Sequence, residues 1–223
     1  MSEKVVVIWS GGMDSTALLF AEREQGNEVF GISVNYGQRH SKELDAARGI
    51  AADYDINHLV VDATGIKAAM LGSALTDNEI DVPEGHYADE SMKDTVVPNR
   101  NMMLISLGIA HAISVGAKRV AYAAHAGDHA VYPDCRPAFA DAMHQAASVC
   151  DYEPIELSRP FVYMDKGEVC AAGLRAGAPL ERTWSCYNGR ELHCGKCGTC
   201  VERIEAFGQA NAEDRTEYEK SLA

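Results

Sequence analysis

The chain has 223 residues, 47% hydrophobic and 24% charged, with a formal net charge of -13. That length buries one good core without disulfide staples, and no apolar run nears the roughly 20 residues that cross a bilayer. Lys and Arg are scattered with no basic run, which argues against a nucleic-acid partner and for a small-molecule substrate.

The N-terminal stretch MSEKVVVIW has one Lys and no small-residue cleavage site behind it, so it reads as a first strand rather than a signal peptide and implies a cytoplasmic chain. Residues 4–9 are apolar after their Lys, as in a strand buried on both faces. A Gly-containing turn over 10–16 leads into a helix over 17–25, which Gly26 stops. Strands follow at 28–35 and 57–62, with a helix over 40–54 between them. Residues 63–97 look irregular, and a stretch of that length is often a functional loop region. A helix over 101–115 is expected to turn Leu104, Leu107, Ile109 and Ile113 inward. Then come a strand at 119–124, a helix over 137–150, a short strand at 155–157, a helix over 165–176, a cysteine cluster and a terminal helix from 201 to 209. The isolated Cys150 and Cys170 read as small buried hydrophobes.

Alternating strands and helices predict an α/β fold, a Rossmann-like parallel sheet with helices on both faces. Ligands bind such sheets at the C-terminal strand ends, where the strand order switches. Residues 1–180 are read as one α/β domain, and 181–223 as a small C-terminal segment and helix on the same core.

Ser10-Gly11-Gly12-Met13-Asp14-Ser15-Thr16 lies between a buried strand and a helix. The glycines let backbone N–H groups approach an anion, the hydroxyls add donors, and the helix N-terminus adds partial positive charge. The spacing is neither G-x-x-x-x-G-K-[ST] nor G-x-G-x-x-G. S-G-G-x-D-S in this place resembles the PP-loop of ATP pyrophosphatases, which attach AMP to a substrate and release pyrophosphate.

Seven further segments, in order along the chain, resemble one branch, the 7-cyano-7-deazaguanine synthases. They are VNYGQRH (34–40), SALT (73–76), VPNRN (97–101), AHAGD (124–128), YPDCRP (132–137), TWSCY (183–187) and CGKCGTC (194–200). The resemblance implies an adenine nucleotide alpha hydrolase-type fold. It implies a ligase that turns 7-carboxy-7-deazaguanine, ammonia and ATP into 7-cyano-7-deazaguanine through an adenylated carboxylate and an adenylated amide. It places ATP along Trp9, Ser10, Gly11, Gly12, Met13, Asp14, Ser15, Thr16, Ala17, Leu18 and Leu19, with Mg²⁺ near Asp14. Asp14, Ser15, Arg100 and Lys166 are the candidate catalytic residues. Tyr36, Gln38, Arg39, His40, Asp128, Asp134 and Arg136 are the candidates for substrate recognition, and a homodimer is expected.

Read from the residues alone, Asp128 suits either Mg²⁺ or a helix cap, and His125 either the site or a structural hydrogen bond. Arg100 and Lys166 suit either charge stabilisation or a solvated surface. Other readings stay open: a tRNA-modifying relative, a variant that stops at the amide, or a protein that only binds nucleotide.

Cys186, Cys194, Cys197 and Cys200 are spaced C-x7-C-x2-C-x2-C. Four thiolates at such spacing close a tetrahedral shell around Zn²⁺. The rival is an iron–sulfur cluster, whose cysteine run usually continues Cys-Pro, whereas Val201 follows here. Arg190 and Lys196 are expected to offset the charge of the thiolates.

Overall fold

Val5, Val6 and Val7 have no exposed surface, as a central strand covered on both faces requires. They belong to β1 (Lys4–Ile8), which pairs in parallel with β2 (Glu28–Asn35) on one side and β4 (Arg119–Ala121) on the other. With β3 (Asn57–Asp62) and β5 (Glu156–Ser158) the strands form a five-stranded parallel sheet ordered β3-β2-β1-β4-β5. The structure is a computed structural model and describes residues 2–39, 41–77, 79–85 and 90–219.

Helices α1 (Met13–Glu24), α2 (Lys42–Asp53), α5 (Lys166–Arg175) and α6 (Gly198–Gln209) pack on the face that Val5 and Val7 supply. Helices α3 (Arg100–Val115) and α4 (Pro137–Ala147) cover the face that Val6 supplies. The alternation of Val5 and Val7 against Val6 is the two-residue period of a strand. Strand order reverses between β1 and β4, which opens a crevice at their C-terminal ends.

The α/β expectation matches this sheet, and the differences are local. Helix α1 starts at Met13 rather than 17, because extended Gly12 serves as its N-cap; Asp14, Ser15 and Thr16 are helical residues. The buried stripe of α3 is Ile105, Gly108, Ile109 and Ala112, while Ile113 faces solvent. Gly108 sits at the stripe's centre because Ile8 and Val120 fill the space its side chain would need. Among the described residues of 63–97 are two short 3₁₀ turns, Thr64–Ala69 and Glu90–Thr95. Cys170 is buried as expected, but Cys150 is exposed, because α4 ends at Ala147 and releases the chain to solvent. No helix among the described residues is long and apolar enough to cross a membrane.

The end of α1 is tied to β4 by an ion pair. Arg119 donates from Nη1 and Nη2 to Glu22 Oε1 and Oε2, each at 2.9 Å, and Glu22 is 2% exposed. Breaking a buried pair by removing one partner leaves the other charge uncompensated. Glu22→Ala is therefore expected to lower unfolding free energy by about 3 kcal/mol, measured by urea denaturation at pH 7.

Candidate active site

The C-terminal ends of β1, β2 and β4 open on one cleft, lined from the sheet by Ile8, Val34 and Tyr122. The loop from Ser10 to Gly12 forms one wall. Ser15 Oγ accepts from the Ser10 amide (3.2 Å), and Ser10 Oγ accepts from the Gly12 amide (3.1 Å). Gly12 gives α1 no side-chain cap, so the first-turn amides and the positive end of the helix dipole are available to an anion. Behind the loop, Trp9 Nε1 donates to Thr16 Oγ1 (2.9 Å), anchoring strand to helix. Gly11 has φ +92°, and a Cβ there would stand 1.9 Å from the carbonyl oxygen of Glu43, so only glycine fits.

Asp14 is the centre of a buried charge cluster. Lys166, first residue of α5, donates to Asp14 Oδ2 at 2.7 Å. Glu202 of α6 brings Oε2 to 2.8 Å from the same ammonium, off the line of a hydrogen bond, so that contact is electrostatic. The Gly127 amide donates to His125 Nδ1 (3.1 Å), and the other ring nitrogen, Nε2, stands 3.2 Å from the Lys166 ammonium. Nε2 lies 3.5 Å from Asp128 Oδ2 and 3.8 Å from Asp14 Oδ2. Burial works to raise the Asp14 carboxyl, but Lys166 and His125 outweigh it and hold it below the ordinary range. Burial opposes the Lys166 charge too, and Asp14 and Glu202 overcome it, keeping the ammonium protonated. Asp14 Oδ1 is buried and receives no hydrogen bond among the described residues.

The far wall carries Arg100, first residue of α3, half-buried among Tyr36, Tyr132 and Tyr187. Tyr36 hydrogen-bonds with it, and its guanidinium lies 6.0 Å from the Tyr132 ring centre. Burial opposes its charge, but the tyrosine oxygens more than compensate. No carboxylate of the described residues forms an ion pair with it. A guanidinium so placed suits a carboxylate or phosphate.

The four cysteine sulfurs lie within 4.8 Å of one another, all buried, in a set that can hold one metal ion. Cys194 Sγ and Cys200 Sγ are 3.9 Å apart, against about 3.8 Å for the edge of a tetrahedron with bonds of about 2.3 Å. Arg190 and Lys196 pair at the surface with Glu219 (3.1 Å) and Glu84 (2.5 Å), and Lys196 also interacts electrostatically with Cys194. The donors to sulfur are the amides of Cys194 and Cys197 and the Asn188 side chain, at 3.3–3.4 Å.

A family model described as "Queuosine biosynthesis protein QueC" matches residues 4–211. The chain belongs to the QueC family. The "7-cyano-7-deazaguanine synthase 1" of Colwellia psychrerythraea is 52% identical over 98% of this chain and 100% of its own. The "7-cyano-7-deazaguanine synthase" of Hahella chejuensis is 53% identical over 97% of this chain and 93% of its own. Among solved structures, a 4-thiouridine synthetase–RNA complex with bound ATP superposes with a TM-score of 0.50 at 14% identity, over 94% of this chain and 50% of that one; the likeness is one of fold.

Within this QueC-family chain, Trp9, Ser10, Gly12, Met13, Asp14, Ser15, Tyr36, Gln38, Arg100, Asp128 and Lys166 all line the cleft. Gly11 packs against α2, Thr16 is bound to Trp9, and Ala17, Leu18 and Leu19 are core residues that do not line the cleft. Arg39 instead donates to the carbonyls of Ala74 and Ile80, holding the neighbouring loop. Arg136 donates to the His129 carbonyl. Asp134 accepts from the Asn101 amide (3.1 Å), capping α3 and thereby holding Arg100. Tyr132 is buried, its hydroxyl shared between Thr95 (2.6 Å) and Tyr187 (3.2 Å). His40 lies outside the described residues.

The structure adds Glu43, Glu202 and Trp184. Glu43 and Glu202 sit inside ordinary amphipathic helices, where a Glu carries no sequence signal of its own. Trp184 donates its amide to the Gly11 carbonyl (3.1 Å), which only the tertiary fold brings about.

Lys166→Met keeps the aliphatic stem and removes the charge. It is expected to lower stability by about 3 kcal/mol, because Asp14 and Glu202 are left buried and unpaired. The Asp14 shift also fixes a sign. Its folded-state pKa is depressed, so its stabilisation is full above the unfolded carboxylate range and is lost as pH falls through the folded value. Acid denaturation curves should show that limb in the wild type and not in Lys166→Met.

Proposed function

We propose that this chain makes 7-cyano-7-deazaguanine from 7-carboxy-7-deazaguanine, ammonia and ATP. The observation that carries the reading is the cleft itself: an anion-receiving loop at the helix α1 terminus faces an arginine with which no carboxylate of the described residues forms an ion pair. Relatives half identical over the whole length, named for this product, supply the substrate.

A carboxylate is a poor electrophile, because its charge repels nucleophiles. Arg100 orients it by paired N–H donors toward the α-phosphate of ATP lying on the residue 10–15 loop. Attack there releases pyrophosphate and leaves a mixed anhydride with AMP. The charge that builds on the phosphoryl oxygens is met by the α1 amides, Arg100 and the Lys166 ammonium. Ammonia then displaces AMP to give the amide. A second adenylation, on the amide oxygen, lets AMP leave with formation of the nitrile. Tyr36, Gln38 and Asp128 stand where the deazapurine edge is recognised. Asp14 Oδ1, buried without a donor beside an excess of carboxylates, is the fitting ligand for Mg²⁺, which when bound draws charge from the phosphates. Cys135 on the cleft wall is not a nucleophile, since burial pushes its thiol far above neutrality.

Zn²⁺ is assigned to the four thiols, as a closed shell that clips the C-terminal segment from residue 181 to 219 to the core. The reading is of a cytoplasmic, homodimeric enzyme of small-molecule substrates, without nucleic acid.

Purified protein given 7-carboxy-7-deazaguanine, ammonium, Mg²⁺ and ATP should yield the nitrile with AMP and pyrophosphate in twofold excess over it, read by mass spectrometry. Asp14→Ala should abolish turnover; full activity in a folded Asp14→Ala protein sinks the assignment. Elemental analysis should find one zinc per chain, and chelation should lower the melting temperature, whereas Cys197→Ser should bind no zinc at all.

A further inference from the structure

Glu43 belongs to neither the lysine cluster nor the metal set. It stands in the first turn of α2, whose backbone is locked against the loop at Gly11. Its side chain turns into the cleft, with Oε1 4.0 Å from the position a Cβ would take on Gly12. Asp14 is bound by Lys166, and Asp128 lies against His125. No other described residue claims the Glu43 oxygens by a hydrogen bond or ion pair. It is a half-buried carboxylate, facing the phosphate loop and Arg100, with its acceptor sites open to the cleft.

The reaction proposed above, on which this inference rests, needs such a group. Ammonium must lose a proton before its nitrogen has a lone pair. The new C–N bond forms as that pair enters the acyl carbon, and the C–O bond to AMP breaks with its electrons leaving on AMP. A second proton leaves the nitrogen to give the amide. After adenylation of the amide oxygen, two more protons leave the same nitrogen as the second AMP departs and the nitrile forms. Four protons therefore come off one atom next to the loop, and nothing is oxidised or reduced. Lys166 and Arg100 are cations and cannot accept them.

We propose that Glu43 is the general base for the nitrogen, taking each proton in turn and passing it to water at the open side of the cleft. Arg100 from α3, Asp14 from α1 and Tyr36 at the end of β2 are the charged and titratable groups that face it. Burial pushes its carboxyl up to about 7, with Arg100 working against the shift and Asp14 with it. A base of that strength is half available at neutral pH and still accepts protons readily.

The test separates the two halves of the reaction. Exchange of labelled pyrophosphate into ATP, driven by 7-carboxy-7-deazaguanine without ammonium, reads adenylation alone. Amide and nitrile formation with ammonium read the nitrogen steps. Glu43→Gln should keep exchange and lose about 100-fold or more in amide formation. Glu43→Asp should recover part of that rate, and the limb near pH 7 in the wild-type rate profile should be missing from Glu43→Gln. Melting curves show whether the variant folds: the wild-type carboxyl has a raised folded-state pKa, so its ionisation weakens the fold as pH rises through about 7, and Glu43→Gln should be the more stable protein above that pH. Equal loss of exchange and amide formation would make Glu43 a support for the loop and overturn the proposal, as would unchanged amide formation. Absence of exchange in the wild type would instead overturn the proposed function itself.

Discussion

The ammonium of Lys166 against the carboxylate of Asp14 is the contact on which the cleft depends. Neither charge is tolerable alone at that depth, since desolvation would drive each to its neutral form. Paired at 2.7 Å, both stay ionised. The pair also joins α1 to α5, and Glu202 draws in α6. The helices approach this closely because the residues between them are small: a Cβ on Gly173 would stand 2.7 Å from that of Ala17. A larger residue there would part the helices and pull the ammonium from its partner.

The cysteine segment reaches the same place from the other side. Cys197 and Cys200 open α6, and Glu202 and Arg203 follow within its first turns. Arg203 donates to Thr183 Oγ1 (2.8 Å), Ser185 Oγ (3.2 Å) and the Leu180 carbonyl (2.7 Å), which sets the strand of chain whose Trp184 amide holds Gly11. Nearby, the Ser185 amide donates to His193 Nε2 (3.1 Å), and burial lowers that imidazole to about 4, so it stays neutral and accepts. A metal closing the four thiols would thus fix the loop backbone through Trp184 and the lysine cluster through Glu202, although none of those four lines the cleft.

How much of this was legible depended on the range of the signal. The sheet and helices were read from local periodicity; β2 and β3 have the expected limits because strong apolar runs end at polar residues on both sides. The phosphate loop and the cysteine set were legible because their chemistry is packed into a few consecutive residues. The inward face of α3 was misread since Leu104 and Ile113 look like core residues, yet the face is set by where Gly108 lets β1 and β4 approach. The hydrogen bonds of Arg39, Asp134 and Arg136 to neighbouring backbone were not legible, because polar side chains in a Pro- or Gly-bracketed loop do not show whether they point inward or hold the loop together. The partners of Lys166 were hidden for a different reason. Asp14 lies 152 positions away in the chain, and nothing local marks two residues that only the fold brings together.

The cleft is asymmetric in charge, and the asymmetry matches the order of the chemistry. Its first step brings a carboxylate to a polyphosphate, two anions that repel, so permanent positive charge must be waiting. Arg100 supplies it: tyrosines line the guanidinium, and no carboxylate of the described residues forms an ion pair with it. The later steps have the opposite need. Once AMP is attached, the substrate carbonyl is reactive and the obstacle is the proton inventory of the nitrogen, which a fixed anion paired to lysine cannot manage. Asp14 is held ionised by its ammonium and so makes a poor proton acceptor; Glu43, lacking such a partner and raised by burial, changes charge readily. The two carboxylates face one cleft from α1 and α2, and their environments set their pKa values apart, as acid–base pairs in active sites require.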